Sequence, residues 1–299
     1  MKKLVVVGQG YVGLPMAIRA SQVGIDVVGL DINETTVAGL NRGYSHIDDV
    51  SNDEVMAALS RGYTATTDSG CLKDADVVIV CVPTPLGPEG GPDLRPVEDS
   101  ARTIGMHAQP GLLAILESTT YPGTTEEVFA PLVLGDRFTA DEVDIAFSPE
   151  RVNPGDKCFG IQNTPKVVGG LTLRATERAY EFYSRFIDEV VPAKGAREAE
   201  MAKLLENTFR HVNIALVNEM LRFCHELDID LWDAINCAAT KPFGFMPFYP
   251  GPGVGGHCIP VDPNYLSHRV KAKLGYAFRM VELAEEINHA APLYVAERA

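Results

Sequence analysis

The first thirty residues alternate two hydrophobic patterns. Residues 3–8, KLVVVG, are a short β-branched run that stops at a glycine, and LPMAIRASQVG beyond it spaces its apolar side chains as a helix does. DVVGLD at 26–31 is strand-like again, and ADVVIVCVP, GLLAILEST, VDIAFSP, PKVVGG and DEVVPA repeat the theme. Between them lie helical or loop stretches such as the one from Pro96 to His107. Near-continuous apolar strands separated by crossovers predict an α/β fold, a Rossmann-like, doubly wound and mostly parallel sheet over residues 1–192.

After Pro192 the pattern changes, and residues 193–299 read as an all-helical domain. Glu198 to Leu227 has neither glycine nor proline and is apolar over most of its circumference, through Met201, Leu204, Leu205, Phe209, Val212, Leu216, Met220 and Phe223. That predicts a long helix buried on several sides. Helical material resumes in LWDAINCAAT and again from about residue 274. The loop between them contains PGPGVGGHCIPVD.

The first strand ends in Gly8-Gln9-Gly10-Tyr11-Val12-Gly13, a G-x-G-x-x-G turn between strand and helix. Gly8 suits the tight turn, Gly10 lets a pyrophosphate approach the backbone, and Gly13 permits close helix and strand packing. The helix N-terminus offers N–H groups and partial positive charge to phosphate. Asp31, about twenty residues on, ends the second strand where a carboxylate accepts from a ribose. No arginine occurs in Ile32-Asn33-Glu34, which favours NAD over NADP. Thr84, Thr119 and Glu150 fall at strand carboxyl ends, where such sheets bind ligands; a strand-end cap, an ST-turn and a surface carboxylate are the plainer readings.

Composition narrows the classes. At 299 residues the chain is long enough for two domains, and 46% hydrophobic residues describe an ordinary globular protein. A formal net charge of −14 argues against nucleic acid or anionic membrane as partner. No apolar run reaches membrane-spanning length, and MKKLVVVGQG breaks into glycine too early for a signal peptide, so the cytoplasm is the default compartment. The histidines have no ligand spacing, so no metal is expected.

Six cysteines without a C-x-x-C pair read as reduced thiols, with Cys71, Cys81, Cys158, Cys224 and Cys237 as small buried hydrophobes. Cys258 differs, because Gly251, Gly253, Gly255 and Gly256 can turn unhindered N–H groups toward an anion, and Asp262 follows four residues on. A thiol beside a carboxylate needs a cation to ionise, and Lys203 is the candidate. Lys203, Asn207 and Arg210 share one face of the long helix, which either reaches solvent or meets a polar ligand. His257 suggests a Cys-His dyad, but adjacent side chains usually point apart.

The segments GQGYVGLP, CVPTP, ESTTYPGTT, FSPERVNPG, AEMAKLLENTFRHVNIALVNE and KPFGFMPFYPGPGVGGHCIPVDP span nearly the whole chain. Together they resemble the UDP-glucose/GDP-mannose dehydrogenase family, and their wording is most similar to its UDP-N-acetylglucosamine 6-dehydrogenase branch. The resemblance implies NAD-dependent four-electron oxidation of a nucleotide-sugar hydroxymethyl, C6, to a carboxylate, with Cys258 as nucleophile through a thiohemiacetal and a thioester. It implies Lys203 as the stabiliser of alkoxide and oxyanion, Asn207 beside the reacting oxygen, Asp262 and Thr119 as orienters of water, and Glu150 in acid–base help. It lines the NAD site with Gly8, Gly10, Tyr11, Val12, Gly13, Asp31, Thr84 and Thr119. The sugar nucleotide falls to Pro247–Gly251 with Phe248 and Tyr249, and to Gly255, Glu150, Arg151, Lys203, Asn207 and Arg210. Val261 directly after Pro260, and Pro154 four after Glu150, depart from the UDP-glucose pattern and point to an N-acetylated sugar. UDP-N-acetylmannosamine and UDP-glucose are the alternative substrates.

The family pattern implies a homodimer through the long helix. It also continues into a third, Rossmann-like domain that covers the nucleotide, so 299 residues read as a fragment with the first two domains. A two-electron dehydrogenase of β-hydroxyacid type would share the layout but have no use for Cys258. An NAD-binding dimer without turnover is the reading from another class.

Overall fold

A computed structural model describes residues 1–87, 91–152, 158–256 and 259–298. Cys258, His257 and Pro154 therefore lie outside the described residues. The chain divides into two compact units, one of residues 1–85 and 92–203, the other of residues 86–91 and 204–299.

The first unit is built on eight strands: β1 (Lys3–Val7), β2 (Asp26–Leu30), β3 (Thr64–Thr66), β4 (Val77–Val80), β5 (Leu113–Leu116), β6 (Asp144–Phe147), β7 (Lys166–Gly170) and β8 (Val190–Pro192). They are ordered β3-β2-β1-β4-β5-β6-β7-β8. Every neighbouring pair is parallel except β6 with β7, where Ala146 faces Gly170 and Phe147 faces Gly169. The expected strands are all present, and β3, too short and polar to stand out in the sequence, joins them. Every residue of β4, β5 and β6 is buried, as parallel strands covered on both faces require.

Alternation sorts the core into two layers. Leu4, Val6, Ile79 and Ile115 face α1 (Gly13–Gln22), α3 (Asn52–Ser60) and α6 (Leu173–Tyr183). Val5, Val78, Ala114 and Ile145 face α4 (Arg95–His107) and α5 (Ala130–Leu134). α2 (Glu34–Leu40), whose Leu40 packs in the first of these layers, is capped by Asn33, which accepts from Thr35 and Thr36 N–H, and Ser51 and Glu54 form a capping box on α3. The order of β1 and β4 reverses the direction of winding, and the crevice outside their carboxyl ends is where such a sheet takes a ligand.

α7 (Ala196–Glu226) is the long helix the sequence predicts. Ala196 and Ala199 pack under the first unit's sheet, and the helix runs on into the second unit with α8 (Leu231–Ala239), α9 (Asp262–Leu274) and α10 (Arg279–Arg298). Val217, Cys224, Leu231 and Ile235 form the second unit's small core. Two expectations are corrected here. Helix resumes at Asp262 rather than near 274, because Pro263 in the first turn needs no N–H partner there. And the buried sides of α7 do not include Leu205, Phe209, Leu216 and Phe223, which are exposed. No helix among the described residues is long and apolar enough to cross a membrane.

Candidate active site

At the winding reversal, Gly8 N–H donates to Leu30 O at 2.8 Å and Cys81 N–H to Val7 O at 2.8 Å, so the turn leaves the sheet between β2 and β4. Gly8 has φ +89, and a Cβ there would lie 2.6 Å from the Cys81 carbonyl oxygen. A Cβ on Gly13 would lie 1.8 Å from the Gly8 oxygen, so helix α1 can begin this close to β1 only with glycine at both positions. Nothing stands within 4 Å of a Cβ at Gly10, which leaves its backbone open. Val12 caps α1 without a side-chain bond, and no acidic residue occupies the first turn. An anionic pyrophosphate suits such a helix start.

Asp31 accepts from Gln9 N–H and Asn33 N–H, both at 2.8 Å, and is only partly buried, so its carboxylate has lone pairs left for ribose hydroxyls. These residues fit NAD. The sequence reading missed the brace beneath them. The Gln9 amide is fully buried, donating to Val6 O at 2.8 Å and accepting from Tyr63 OH at 2.8 Å, and it fills the space a side chain on Gly29 would need. Burial, with Asp31 nearby, holds the Tyr63 phenol above its ordinary range, so it stays a donor.

Next to the turn, Thr84 Oγ1 donates to Thr119 O at 2.8 Å, and Lys203 Nζ donates to Thr119 Oγ1 at 2.6 Å. Three sequence candidates thus meet at the ends of β4 and β5 and on α7. Lys203 is 9% exposed, so its stem is packed and its ammonium held in one place. One turn earlier, Glu200, itself buried, accepts from Gly123 N–H at 2.5 Å, Thr125 N–H at 2.8 Å and Thr125 Oγ1 at 2.7 Å. These donors open the π-helical turn Thr125–Phe129 that runs into α5. Burial raises the Glu200 pKa, and the three donors oppose it. A carboxylate as an N-terminal cap supplied by another helix has no local sequence signature, which is why it was not foreseen.

Glu150 belongs to a second cluster. Its Oε1 accepts from Arg151 N–H at 2.8 Å and Val152 N–H at 2.6 Å, while Oε2 lies 3.6 Å from Lys166 Nζ. Lys166 Nζ is also 3.2 Å from Glu117, which accepts from Tyr183 OH. Burial alone opposes the Lys166 charge, but the two carboxylates outweigh it and raise its pKa. Burial raises Glu117 as well, against the pull of Lys166, as expected where two carboxylates share one ammonium. Burial and then Glu117 push the Cys81 thiol well up, which suits a neutral packing group and not a nucleophile. Arg151, a sequence candidate for substrate, donates to Pro165 O at 2.7 Å.

In the second unit Asn207 Nδ2 donates to Asp262 Oδ2 at 2.6 Å, with both residues buried. Asp262 opens α9 and is favoured by that helix's N-terminal charge. Phe248 packs edge-on to Phe209 with centroids 5.7 Å apart, and Tyr249 OH donates to Asn236 Oδ1 at 2.9 Å. Gly255 and Arg210 are exposed. Cys158 and Cys237 are also exposed, which corrects their reading as buried hydrophobes, whereas Cys224 is buried. Among the described residues no group of three or more His, Cys, Asp or Glu could hold a metal ion.

Comparison with known proteins bears on both units. Residues 2–187 match the NAD binding domain, and residues 197–290 the central domain, of the UDP-glucose/GDP-mannose dehydrogenase family. The UDP-N-acetyl-D-glucosamine 6-dehydrogenase of Salmonella typhi is 36% identical over 300 residues, covering 99% of this chain and 69% of its own length. The NDP-N-acetyl-D-galactosaminuronic acid dehydrogenase of Ralstonia nicotianae is 37% identical over 309 residues, covering 98% and 70%. A solved structure, the UDP-D-ManNAc dehydrogenase of Pyrococcus horikoshii, superposes with a TM-score of 0.90 at 35% identity, covering 99% of this chain and 70% of its own. With matches through both parts and an NAD turn built as such a turn must be, this chain belongs to the UDP-glucose/GDP-mannose dehydrogenase family of NAD-dependent oxidoreductases.

Proposed function

We propose that the chain oxidises a UDP-N-acetylhexosamine, UDP-N-acetylglucosamine foremost, at C6 to the uronic acid, with Cys258 as nucleophile. The observation that carries this reading is a pair of hydrogen bonds one turn apart on α7: Lys203 to Thr119, and Asn207 to Asp262, each at 2.6 Å. The first holds an ammonium ready for an oxygen that gains negative charge, which is what oxidation of an alcohol and hydrolysis of an acyl group both need, and the second keeps an amide and a carboxylate paired and buried in the second unit. Relatives of nearly equal similarity carry different N-acetylated sugars in their names, which supports that class over UDP-glucose.

NAD would accept one hydride from C6 in each of the two oxidations, so two molecules of NAD are reduced per sugar. Lys203 stabilises the alkoxide as the first hydride leaves. The Cys258 sulfur then adds to the aldehyde carbon, forming a C–S bond, and Lys203 and Asn207 hold the resulting oxyanion. Loss of the second hydride leaves a thioester. Water positioned by Asp262 and Thr119 breaks the C–S bond, giving carboxylate and free thiol. Glu150 takes up and returns protons, and Pro247–Gly251 with Gly255 hold the nucleotide sugar. The exposed apolar side chains of α7, Leu205, Phe209, Leu216 and Phe223, support a homodimer that covers them.

The test is a panel of UDP-sugars with NADH counted per sugar consumed. Two NADH and a uronic acid are expected with UDP-N-acetylglucosamine, and Cys258→Ala should form no acid. One NADH per sugar, or acid formation by Cys258→Ala at the wild-type rate, overturns the covalent route.

A further inference from the structure

The second unit contains a buried polar chain that the chemistry above does not use. Gly251 N–H donates to Asn218 Oδ1 at 2.9 Å, Asn218 Nδ2 donates to Asn288 Oδ1 at 3.0 Å, and Asn288 Nδ2 donates to the His211 backbone oxygen at 3.1 Å. Asn218 lies on α7 and Asn288 on α10, exposed by only 4% and 3%. The chain has one direction. Its first group is a backbone N–H and its last a backbone carbonyl, neither of which can reverse, so each amide between them is held with its oxygen toward Gly251 and its nitrogen toward His211. Buried amides cost free energy unless both ends are paired, and here both are.

Two residues on, the loop meets α10 directly. Pro292 sits inside α10, and a proline offers no N–H to the carbonyl four residues back, which is that of Asn288. Gly253, at φ +89, lies against that freed oxygen: a Cβ there would be 2.4 Å from Asn288 O and 3.7 Å from Pro292 Cδ. Asn288 therefore grips the loop with its side chain, through Asn218, and receives it with its main chain.

We propose that Asn218, Asn288 and Pro292 are positioning residues that latch the glycine-rich segment 250–253 to α7 and α10, so that the loop is preorganised for the sugar nucleotide. The proposal rests on the reading that this segment holds the substrate. Glycines make the loop open to substrate but leave it with high conformational entropy, and a latch at its base removes part of that entropy before binding. The proline in α10 is otherwise a cost to that helix, and the close approach of Gly253 gives it a use.

Hydrogen exchange at the Gly251 amide, read by fragmentation mass spectrometry, and KM values for UDP-N-acetylglucosamine and for NAD test this in Asn218→Ala and Pro292→Ala. Asn218→Ala should speed exchange at Gly251 by about tenfold or more and raise the KM for the sugar nucleotide by about tenfold, with the KM for NAD unchanged. Pro292→Ala restores a helical N–H and should leave Tm equal to or above wild type, yet still speed Gly251 exchange and raise the sugar KM. A residue that only supported the fold would lower Tm and shift both KM values together. Unchanged exchange at Gly251 in both variants, or a Pro292→Ala protein whose exchange rises only with a lower Tm, overturns the latch. If wild-type protein oxidises no UDP-sugar, the functional reading fails and the exchange and Tm measurements alone decide the latch.

Discussion

Replacing Glu200 by alanine is expected to destabilise the first unit more than any surface charge change would. Glu200 is 1% exposed, and its carboxylate is the acceptor for Gly123 N–H, Thr125 N–H and Thr125 Oγ–H. Truncation leaves those three donors facing a cavity. An orphaned buried donor costs about 1–3 kcal/mol, the low end applying where water enters, so the loss is at least about 3 kcal/mol. For a unit of this size about 1 kcal/mol lowers Tm by about 2–4 °C, so a fall of about 6–12 °C is expected. Glu200→Gln keeps one oxygen, which can serve the two Thr125 donors, and turns an NH2 group toward Gly123 N–H, so it should lose about 1–3 kcal/mol. The assay is urea unfolding followed by far-UV circular dichroism at pH 8, with thermal scans alongside. Because Lys203 is one turn along the same helix, slowed turnover is expected in both variants. A Glu200→Ala protein within about 1 kcal/mol of wild type would refute the reasoning, since it would mean that the three donors find other acceptors at no cost.

Other outcomes follow from the same structure. Asp31→Ala should weaken NAD binding by about 10–100-fold in calorimetric titration, the worth of one or two charge-assisted bonds to a ribose. Lys166→Met leaves the buried Glu117 and the partly buried Glu150 carboxylates without their cation and should cost about 3–5 kcal/mol at pH 8. The sign of its pH dependence is fixed. Lys166 has a folded-state pKa raised above 10.5, so its contribution is fully present below that value and is lost as pH rises through the raised one. Wild type should therefore lose stability in strong alkali by a step that Lys166→Met lacks, measured by urea midpoints against pH. Leu216→Glu, at an exposed position of α7, should turn the proposed homodimer into a monomer in light scattering while leaving Tm of the monomer within a few degrees.

Where chemistry depends on neighbours in the chain, it was legible from the start. The strand, the glycine turn, the helix start and Asp31 are read within thirty residues, because a tight turn, a close helix approach and unpaired N–H groups are local demands that only certain residues meet. The span of α7 was equally plain, for thirty residues without glycine or proline leave the backbone little else to do. Its burial was not. An apolar side chain records that it prefers cover, but not whether this chain or another provides it, and Leu205, Phe209, Leu216 and Phe223 turn out to face solvent here.

What remained hidden are pairs made by folding. Glu117 directly follows β5, Lys166 and Tyr183 come from β7 and α6, Gln9 meets Tyr63 across fifty-four residues, and Asn218 meets Asn288 across seventy. No periodicity marks such groups, because each is polar in a context that looks local and ordinary, and only the closed sheet or the packed helices remove the water that would have satisfied it. Sequence by itself determined where backbone geometry had to be special and what cofactor that geometry admits. Tertiary structure decided which charges and amides are taken out of solvent together, since the free energy of a buried polar group depends on its neighbours in space and not on its neighbours in the chain.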